Sequence, residues 1–249
     1  PMAADTGPIG GNLSHEFIIL ADTGESKIYT DQRIFDVDSS KTNLDKASLD
    51  VLRKQYEKFY SVTDEKFNNN EFEKSVPQEF RVNTKGIEVG HIFYFGDKYS
   101  KPMNAAVDFN GKKEFVKMGS YGIGVSRLVG AIIEAKYNDK DGIMKWPMSV
   151  TPYDCAIIPM INKNDKSNLE KSIKVHEFLK SKNIETIIDD TDENISAKIK
   201  KFNLIGIPYQ LIIGSKSEGN LYEFKEVDGE TQKLKVEDIA SQIIKAKQN

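Results

Sequence analysis

Short apolar segments alternate with amphipathic helical segments from Cys155 onward, and this rhythm constrains the fold more than any other feature of the sequence. We predict strands over 155–161, 184–188 and 209–213, and helices over 166–182, 197–203 and 236–247. Strands that alternate with helices are typical of a parallel or mixed sheet wrapped by helices. We therefore expect an α/β domain with a mixed sheet over about 151–249.

The residues before this region have a different pattern, rich in glycine, aromatic and β-branched residues. Residues 87–95 predict a strand that is interrupted by Gly90. Segments 105–109 and 114–118 flank Asn110-Gly111, a strong β-hairpin signal. Because hairpins join antiparallel strands, we expect an antiparallel sheet in a first domain over about 1–150, with the boundary near 149–153.

The interval 21–86 is predicted to contain one helix and a polar connection. Over 40–62, apolar side chains recur at the spacing of one helix face, at Leu49, Leu52, Tyr56 and Phe59. The next residues, 63–79, are polar and rich in asparagine, which is typical of a mobile connection. We therefore expect this interval to hold too little core for a pocket of its own.

Composition and charge exclude several classes of protein. The formal net charge of −3 over 249 residues excludes a protein that is basic throughout and binds nucleic acid by charge alone. The single cysteine cannot form an internal disulfide, so a reducing compartment is expected. One cysteine and three histidines are too few and too scattered for a structural zinc site, and we expect no metal site. No apolar run approaches the roughly 20 residues that cross a membrane, and no signal-peptide pattern opens the chain. We expect a cytoplasmic protein with no membrane partner.

A glycine-rich stretch from Gly119 to Gly124 precedes a predicted helix over 125–135. We predict a turn for this stretch. A dinucleotide-binding fingerprint has its glycines in another order, within a βαβ unit, so an oxidoreductase is a poor alternative. A helix that opens at such a turn can bind an anion through its free N–H groups. Arg127 lies in the first helical turn and is either a solvated residue or a phosphate contact.

His91 follows Gly90 among aromatic residues, and Glu88 precedes it by three positions. Side chains alternate along a strand, so Glu88 and His91 fall on opposite faces unless Gly90 marks a β-bulge. A lone histidine in such a strand is more often packed and hydrogen-bonded than catalytic. We likewise interpret His176, in the apolar stripe of a helix, and Cys155, in a buried strand, as structural.

An acidic run over 189–193 is followed by a small basic group at Lys198, Lys200 and Lys201. Mixed charges at the C-terminal end of a strand can read the edges of nucleic-acid bases. They can equally form a solvated surface, and the residues alone favour that simpler interpretation.

Four strings, in this order, give the chain a resemblance to a known family. They are GPIGGNLSHEF (7–17), GIEVGHIFYFGDKYS (86–100), MGSYGIGVSR (118–127) and WPMSVTPYDCAIIPM (146–160), the last followed by LIGIP at 204–208. They resemble bacterial prolyl-tRNA synthetases, which are class II aminoacyl-tRNA synthetases. The resemblance covers about 1–40 and 80–249. It implies part of an antiparallel class II catalytic domain, with motif 3 over 118–136, followed by an anticodon-binding domain.

The resemblance also implies an activity and site residues. The family forms prolyl-adenylate from proline and ATP with Mg²⁺, and transfers proline to tRNA(Pro). By position, Arg127 resembles the motif 3 arginine that contacts the ATP γ-phosphate, and Glu88 lies at a position of the ATP site. The positions that match the proline pocket are His91, Phe93, Ser120 and Gly122. In the anticodon-binding domain the matching positions are Asp189, Asp190 and Lys198.

Some family features are not found in this sequence. Motifs 1 and 2 should precede residue 1, so the chain resembles the C-terminal part of an enzyme whose intact form is a homodimer. Motif 1 builds that dimer interface, and motif 2 supplies an arginine for the ATP α-phosphate. The interval 21–86 resembles the short-insert form, without an editing domain. The alternative is a non-catalytic fragment that binds tRNA by itself.

Overall fold

A computed structural model of the chain describes residues 1–11, 13–162, 165–214, 217 and 219–248. The chain divides into a first unit of residues 1–135 and a second unit of residues 136–249. This division lies before the boundary expected near 149–153, because residues ahead of 149 already form hydrogen bonds with the second unit. The N–H of Met144 donates to Asn203 O, and the Trp146 indole donates to Ile205 O, each at 2.9 Å. Among the described residues, no helix is long and apolar enough to cross a membrane.

The strands and helices have the following bounds. The strands are β1 (Met2–Ala3), β2 (Leu13–Leu20), β3 (Ser26–Asp31), β4 (Ser61–Thr63), β5 (Arg81–Gly96), β6 (Ala106–Phe109), β7 (Lys112–Phe115), β8 (Met118–Ile123), β9 (Cys155–Pro159), β10 (Thr186–Ile188), β11 (Tyr209–Ile213), β12 (Leu221–Glu226) and β13 (Gln232–Lys235). The α-helices are α1 (Lys46–Tyr56), α2 (Asn69–Ser75), α3 (Val125–Lys136), α4 (Ser167–Lys180), α5 (Ile195–Ile205) and α6 (Val236–Lys247).

Five strands of the first unit close into a ring. β2, β1, β4, β3 and β5 pair in this order, and β5 pairs back onto β2. These pairings are antiparallel except that of β1 with β4. β8 pairs antiparallel with the C-terminal part of β5. The antiparallel sheet expected in this half of the chain is therefore confirmed.

The interval 21–86 is more than a helix and a connection, since it supplies β3 and β4 to the ring. The helix predicted over 40–62 is limited to α1, and the predicted connection over 63–79 contains α2. Phe72 of α2 is buried and packs edge-on against Phe67, which stacks on Tyr29 at a centroid distance of 3.6 Å. The prediction of only one helix and a polar connection was wrong, because these aromatic residues follow no regular spacing that a sequence pattern reveals.

The glycine-rich stretch 119–124 forms most of β8 instead of the predicted turn. A Cβ on Gly119 would lie 2.8 Å from Phe93 O, so this glycine lets the backbone of β8 approach β5 closely. The hairpin across Asn110 and Gly111 is confirmed, and both residues have the positive φ that a tight two-residue turn requires.

The second unit contains a mixed sheet in the order β10-β9-β11-β12-β13. β10, β9 and β11 are parallel, and β12 and β13 continue the sheet as antiparallel strands. Alternate side chains of β9 face opposite sides: Ile157 packs with α4 and α6, and Ile158 packs with α5. The α/β organisation predicted after residue 150 is therefore confirmed.

The residues interpreted as structural in this unit are placed accordingly. His176 Nδ1 lies 2.6 Å from Thr186 Oγ1, so the ring joins α4 to β10 by a hydrogen bond. Cys155 is fully buried, and burial raises the pKa of its thiol. A thiol that does not ionise at neutral pH is an inert core group.

Candidate functional site

A β-bulge brings two predicted site residues to the same face of the first unit. Phe17 of β2 pairs with Gly90 of β5, but the next residue, Ile18, pairs with Glu88 and skips Val89. The extra residue reverses the alternation, so Glu88 and His91 lie on one face. Their side chains approach to 3.4 Å, between Glu88 Oε1 and His91 Nδ1. The β-bulge that the sequence analysis considered at Gly90 is therefore present, and it places Glu88 and His91 on the same face.

His91 is held from three sides. Its Nε2 lies 2.6 Å from Ser14 Oγ on β2, and Ser14 is buried. Its ring stacks on Phe93 at a centroid distance of 3.9 Å. Its Nδ1 faces the carboxylates of Glu88 and, at 3.8 Å, Glu16. These contacts fix the ring orientation, so His91 is both packed and adjacent to two acidic groups.

The predicted proline-pocket residues lie side by side on β5 and β8. His91 pairs with Gly122, and Phe93 pairs with Ser120. Directly paired residues in an antiparallel sheet point to the same face, and His91 and Phe93 share that face because they are two positions apart. A Cβ on Gly122 would meet no atom within 4 Å, so the space beside His91 is open. The four residues therefore form one patch.

Arg127 is placed by the junction of β8 and α3. The N–H of Gly124 donates to Val89 O at 2.9 Å, which fixes the start of α3 beside the bulge. From the first helical turn, Arg127 Nη1 donates to Glu88 O at 3.1 Å and lies 3.7 Å from Glu88 Oε2. The side chain of Arg127 is 51% exposed, so it can still contact a ligand. The two residues predicted for the ATP site are thus in contact.

Glu16 was not predicted from the sequence and is central to the cluster. It lies on β2 opposite His91, two positions from Ser14 on the same face. Burial, together with the nearby charges of Glu88 and Glu65, raises the pKa of Glu16 to about 7. The signal in the sequence was the string LSHEF, where Ser14 and Glu16 have strand spacing, but no pattern indicated which strand faced them.

An open cavity of about 310 Å³ adjoins this cluster. Its lining is mostly acidic and consists of Glu16, Glu25, Ser26, Lys27, Thr63, Asp64, Glu65 and Glu88. Thr63 Oγ1 is buried and has no hydrogen-bond partner among the described residues. Glu25 and Asp64 of the interval 21–86 line this cavity together with Glu16 and Glu88 from outside it, so it is not a pocket of that interval alone. Its mostly acidic lining suits a cationic ligand.

Glu16, Glu88 and His91 offer ligand atoms within 4.8 Å of one another. The expectation of no metal site was based on the scarcity of cysteine and histidine, and it did not consider carboxylates brought together by the bulge. Carboxylate oxygen is a ligand that Mg²⁺ prefers. The cluster is therefore a candidate position for a cation.

In the second unit, the predicted nucleic-acid residues differ in their exposure. Asp190 is exposed and follows β10. Asp189 is buried, and its carboxylate accepts hydrogen bonds from Thr191 and Lys201. Lys198 is fully buried, with its ammonium bonded to backbone carbonyls, which contradicts the prediction that it contacts tRNA. Its helix spacing did not reveal this, because α5 is covered by β9 on this side.

Comparisons with known proteins found one family match and several similar proteins. Residues 154–246 match the family described as the anticodon binding domain. The chain is 70% identical over 240 residues to a proline–tRNA ligase of Pelagibacter ubique, covering 96% of this chain and 54% of that protein. It is 44% identical to a proline–tRNA ligase of Phenylobacterium zucineum, covering 94% of this chain and 54% of that protein. It is 46% identical to one of Bartonella tribocorum, covering 98% of this chain and 56% of that protein. The chain spans about half the length of the curated relatives it matches.

Proposed function

We propose that this chain, homologous along nearly its whole length to proline–tRNA ligases, is part of an enzyme that joins proline to tRNA(Pro). The observation that carries the proposal is the 70% identity over 96% of the chain. In the proposed reaction, the carboxylate of proline attacks the α-phosphate of ATP and pyrophosphate leaves. The terminal hydroxyl of tRNA then attacks the prolyl carbonyl, and AMP leaves.

In the first unit, Arg127 and Glu88 are proposed to bind ATP. The exposed guanidinium lies in the first turn of α3, where the helix N-terminus also favours negative charge. A planar guanidinium can donate two hydrogen bonds to phosphate oxygens. Arg127 would therefore hold the γ-phosphate and stabilise the charge that develops on the leaving pyrophosphate.

The carboxylates of Glu16 and Glu88 fit a magnesium ion that accompanies ATP. Both are oxygen ligands, and their ligand atoms lie within 4.8 Å of each other and of a ring nitrogen of His91. Magnesium binds one or two carboxylates together with substrate phosphates. When bound, the ion neutralises phosphate charge. Glu88 would orient it towards the phosphates that Arg127 holds.

The patch of His91, Phe93, Ser120 and Gly122 is proposed to bind proline. The ring of Phe93 stacks on His91 and offers an apolar surface to a pyrrolidine ring. The space beside Gly122 admits a small ligand. Ser14 holds the imidazole in place, so the pocket is formed before the ligand arrives.

The second unit is proposed to bind the anticodon of tRNA(Pro). Its match to the anticodon-binding family supports this role, with Asp190 as an exposed contact. We further propose that the intact enzyme is a homodimer in the cytoplasm. A second candidate function is a non-catalytic protein that binds tRNA, which is favoured by the match of residues 154–246 to a binding domain.

A chimera tests the proposal directly. This chain replaces the matching segment of the Pelagibacter ubique proline–tRNA ligase, to which it is 70% identical. We expect proline-dependent exchange of pyrophosphate into ATP and prolylation of a tRNA(Pro) transcript. The 249-residue chain alone is the control, and we expect it to bind the transcript without catalysing exchange. A folded chimera that binds tRNA but shows no exchange would favour the non-catalytic candidate.

A further inference from the structure

The ammonium of Lys198 is saturated by backbone carbonyls. The side chain is fully buried, and Nζ donates to Pro159 O at 3.1 Å, Asp189 O at 3.0 Å and Thr191 O at 2.6 Å. An ammonium has three N–H donors, and three carbonyl oxygens are in place to accept them. Lys198 therefore has no donor left for a ligand.

The three carbonyls belong to the carboxyl ends of neighbouring parallel strands. Pro159 is the last residue of β9, and Asp189 and Thr191 directly follow β10. Lys198 itself lies on α5. One side chain thus joins the end of β9 to the loop after β10, which we call the 189–193 loop.

A second cation holds the same loop from the solvent side. Lys201 Nζ lies 2.9 Å from Asp189 Oδ2 and 2.6 Å from Glu193 Oε2. Burial opposes ionisation of Asp189, but hydrogen bonds from Thr191 and Lys201 and the charge of Lys198 outweigh it and lower the pKa of Asp189. The loop is therefore held by two ammonium groups, that of Lys198 from the buried side and that of Lys201 from the solvent side.

The topology makes this edge of the sheet a ligand-binding position. The order β10-β9-β11 means that the chain leaves β9 for one neighbour and then crosses to the other, so the switch point lies between β9 and β11, next to the end of β9 that Lys198 binds. In open α/β sheets, ligands bind outside the carboxyl ends of the strands at such a switch point. The 189–193 loop lies at that edge and exposes Asp190.

We infer that Lys198 is a positioning residue for RNA recognition: it holds the 189–193 loop in the conformation that contacts the anticodon, without touching RNA itself. This inference rests on the proposed function of the second unit. A loop that is already ordered binds without the cost of becoming ordered. Loss of the ammonium removes a donor from two buried carbonyls, those of Pro159 and Asp189, and from the partly buried carbonyl of Thr191, so the loop must rearrange to satisfy them.

The test compares Lys198→Met with Lys200→Met in the 249-residue chain. Lys200 is exposed on the same helix, so both variants lose one charge, but only the first loses the buried contacts. The probes are a transcript of tRNA with a proline anticodon and the same transcript with its anticodon bases permuted. We expect Lys198→Met to reduce the preference for the proline anticodon about tenfold, because the loop must then be ordered on binding. Lys200→Met should weaken the binding of both transcripts by the same factor, as loss of a phosphate contact does.

Hydrogen exchange supplies a readout that does not require RNA. Lys198→Met should accelerate amide exchange in 189–193 while leaving that of β11 unchanged. Leu179→Ala, in the core on the opposite face, serves as a variant of comparable instability that should leave both the loop and the preference intact. If Lys198→Met does not fold, Lys201→Met decides the matter, since it loosens the same Asp189 from the surface and should lower the preference in the same direction.

The outcomes separate the two ideas. A wild-type chain with no preference for the proline anticodon would contradict the proposed function. If Lys198→Met keeps the wild-type preference for the proline anticodon, the inferred role of Lys198 is wrong, but the proposed function of the second unit stands. If Lys198→Met does not fold, the same conclusion follows from an unchanged preference in Lys201→Met. A preference that falls equally in Leu179→Ala would also overturn the role of Lys198, because general instability would then explain the loss.

Discussion

Glu88 Oε1 lies 3.4 Å from His91 Nδ1, although three positions along a regular strand would place these side chains on opposite faces. The unpaired Val89 is the cause, since it shifts the register between β2 and β5 by one residue. The same bulge brings Glu88 within reach of Arg127. The acidic cluster and its contact with Arg127 therefore depend on one extra backbone residue.

The first prediction concerns the pKa of Glu16. Burial, Glu88 and Glu65 raise this pKa to about 7, so we expect the carboxyl ¹³C shift of Glu16 to titrate near neutral pH. Glu88→Gln removes one of the repelling charges and should lower the pKa, but not to its ordinary value, because burial remains. A midpoint for Glu16 that does not move in Glu88→Gln would exclude the proposed coupling.

This shift has a consequence for stability with a definite sign. The folded pKa lies above the unfolded value of 4.5, so the folded state retains the proton more strongly. The contribution of Glu16 to the free energy of unfolding is therefore largest below pH 4.5 and falls as the pH rises to about 7. Glu16→Gln should gain stability relative to the wild type between pH 5 and 8, which urea unfolding of the first unit would measure. A difference that stays constant across this range would contradict the shift.

The second prediction concerns Arg127 in the chimera. We expect Arg127→Ala to lower the rate of pyrophosphate exchange by about 10²–10³, the typical loss when one preorganised charge contact is removed from an active site. Arg127→Lys should lose less, because lysine keeps the charge but not the planar fork. Arg53→Ala, on the exposed helix α1, is the matched control and should leave exchange unchanged. Near-wild-type rates in both Arg127 variants would identify this residue as a surface arginine.

A third prediction tests the packing of the second unit at Gly206. Its φ of +85° caps α5 in the left-handed region, and a Cβ there would lie 2.5 Å from Met144 Cγ. Gly206→Ala should lower the free energy of unfolding of this unit by about 3 kcal/mol, combining backbone strain with overpacking. Gly219→Ala, also at positive φ but with no atom within 4 Å, should cost only about 1 kcal/mol from strain. An equal loss of unfolding free energy in the two variants would mean that the Met144 side chain moves aside without cost.

A fourth prediction concerns misacylation. Alanine can enter a proline pocket, because missing methylenes are worth only about 1–3 kcal/mol of discrimination. The hydroxyl of Thr63 in the cavity beside β4 has no hydrogen-bond partner among the described residues, so no base activates it as a nucleophile. We expect the chimera to release alanine from preformed alanyl-tRNA(Pro) no faster than the spontaneous rate. Faster release that Asp64→Asn abolishes would show that this cavity is an editing site.

The sequence predicted the second unit better than the first, for a physical reason. β11 and α6 have the bounds expected from their apolar periodicity, because each is a regular element with one clear environment. Gly119 to Gly124 was predicted as a turn, since glycine signals a turn and a close strand contact alike. Only the neighbouring strand decides between the two.

The candidate site was predictable in its residues but not in its geometry. The strings around His91 and Ser120 each identified two patch residues, and β-sheet pairing places the four together. Glu16 and Thr63 were missed because they come from strands whose partners no local pattern specifies. Lys198 was misjudged for a related reason, as a lysine in an amphipathic helix gives no sign that the carbonyls of two other segments surround it.

The closed ring of β2, β1, β4, β3 and β5 has a consequence for how this chain can vary in length. β3 and β4 pair as antiparallel neighbours, and the 29 residues between them, 32–60, include α1, which has no buried residue. Material added at α1 leaves every pairing of the ring intact. The connection over 32–60 is therefore a position where a whole domain can be inserted or lost during evolution without changing the strands that carry the acidic cluster.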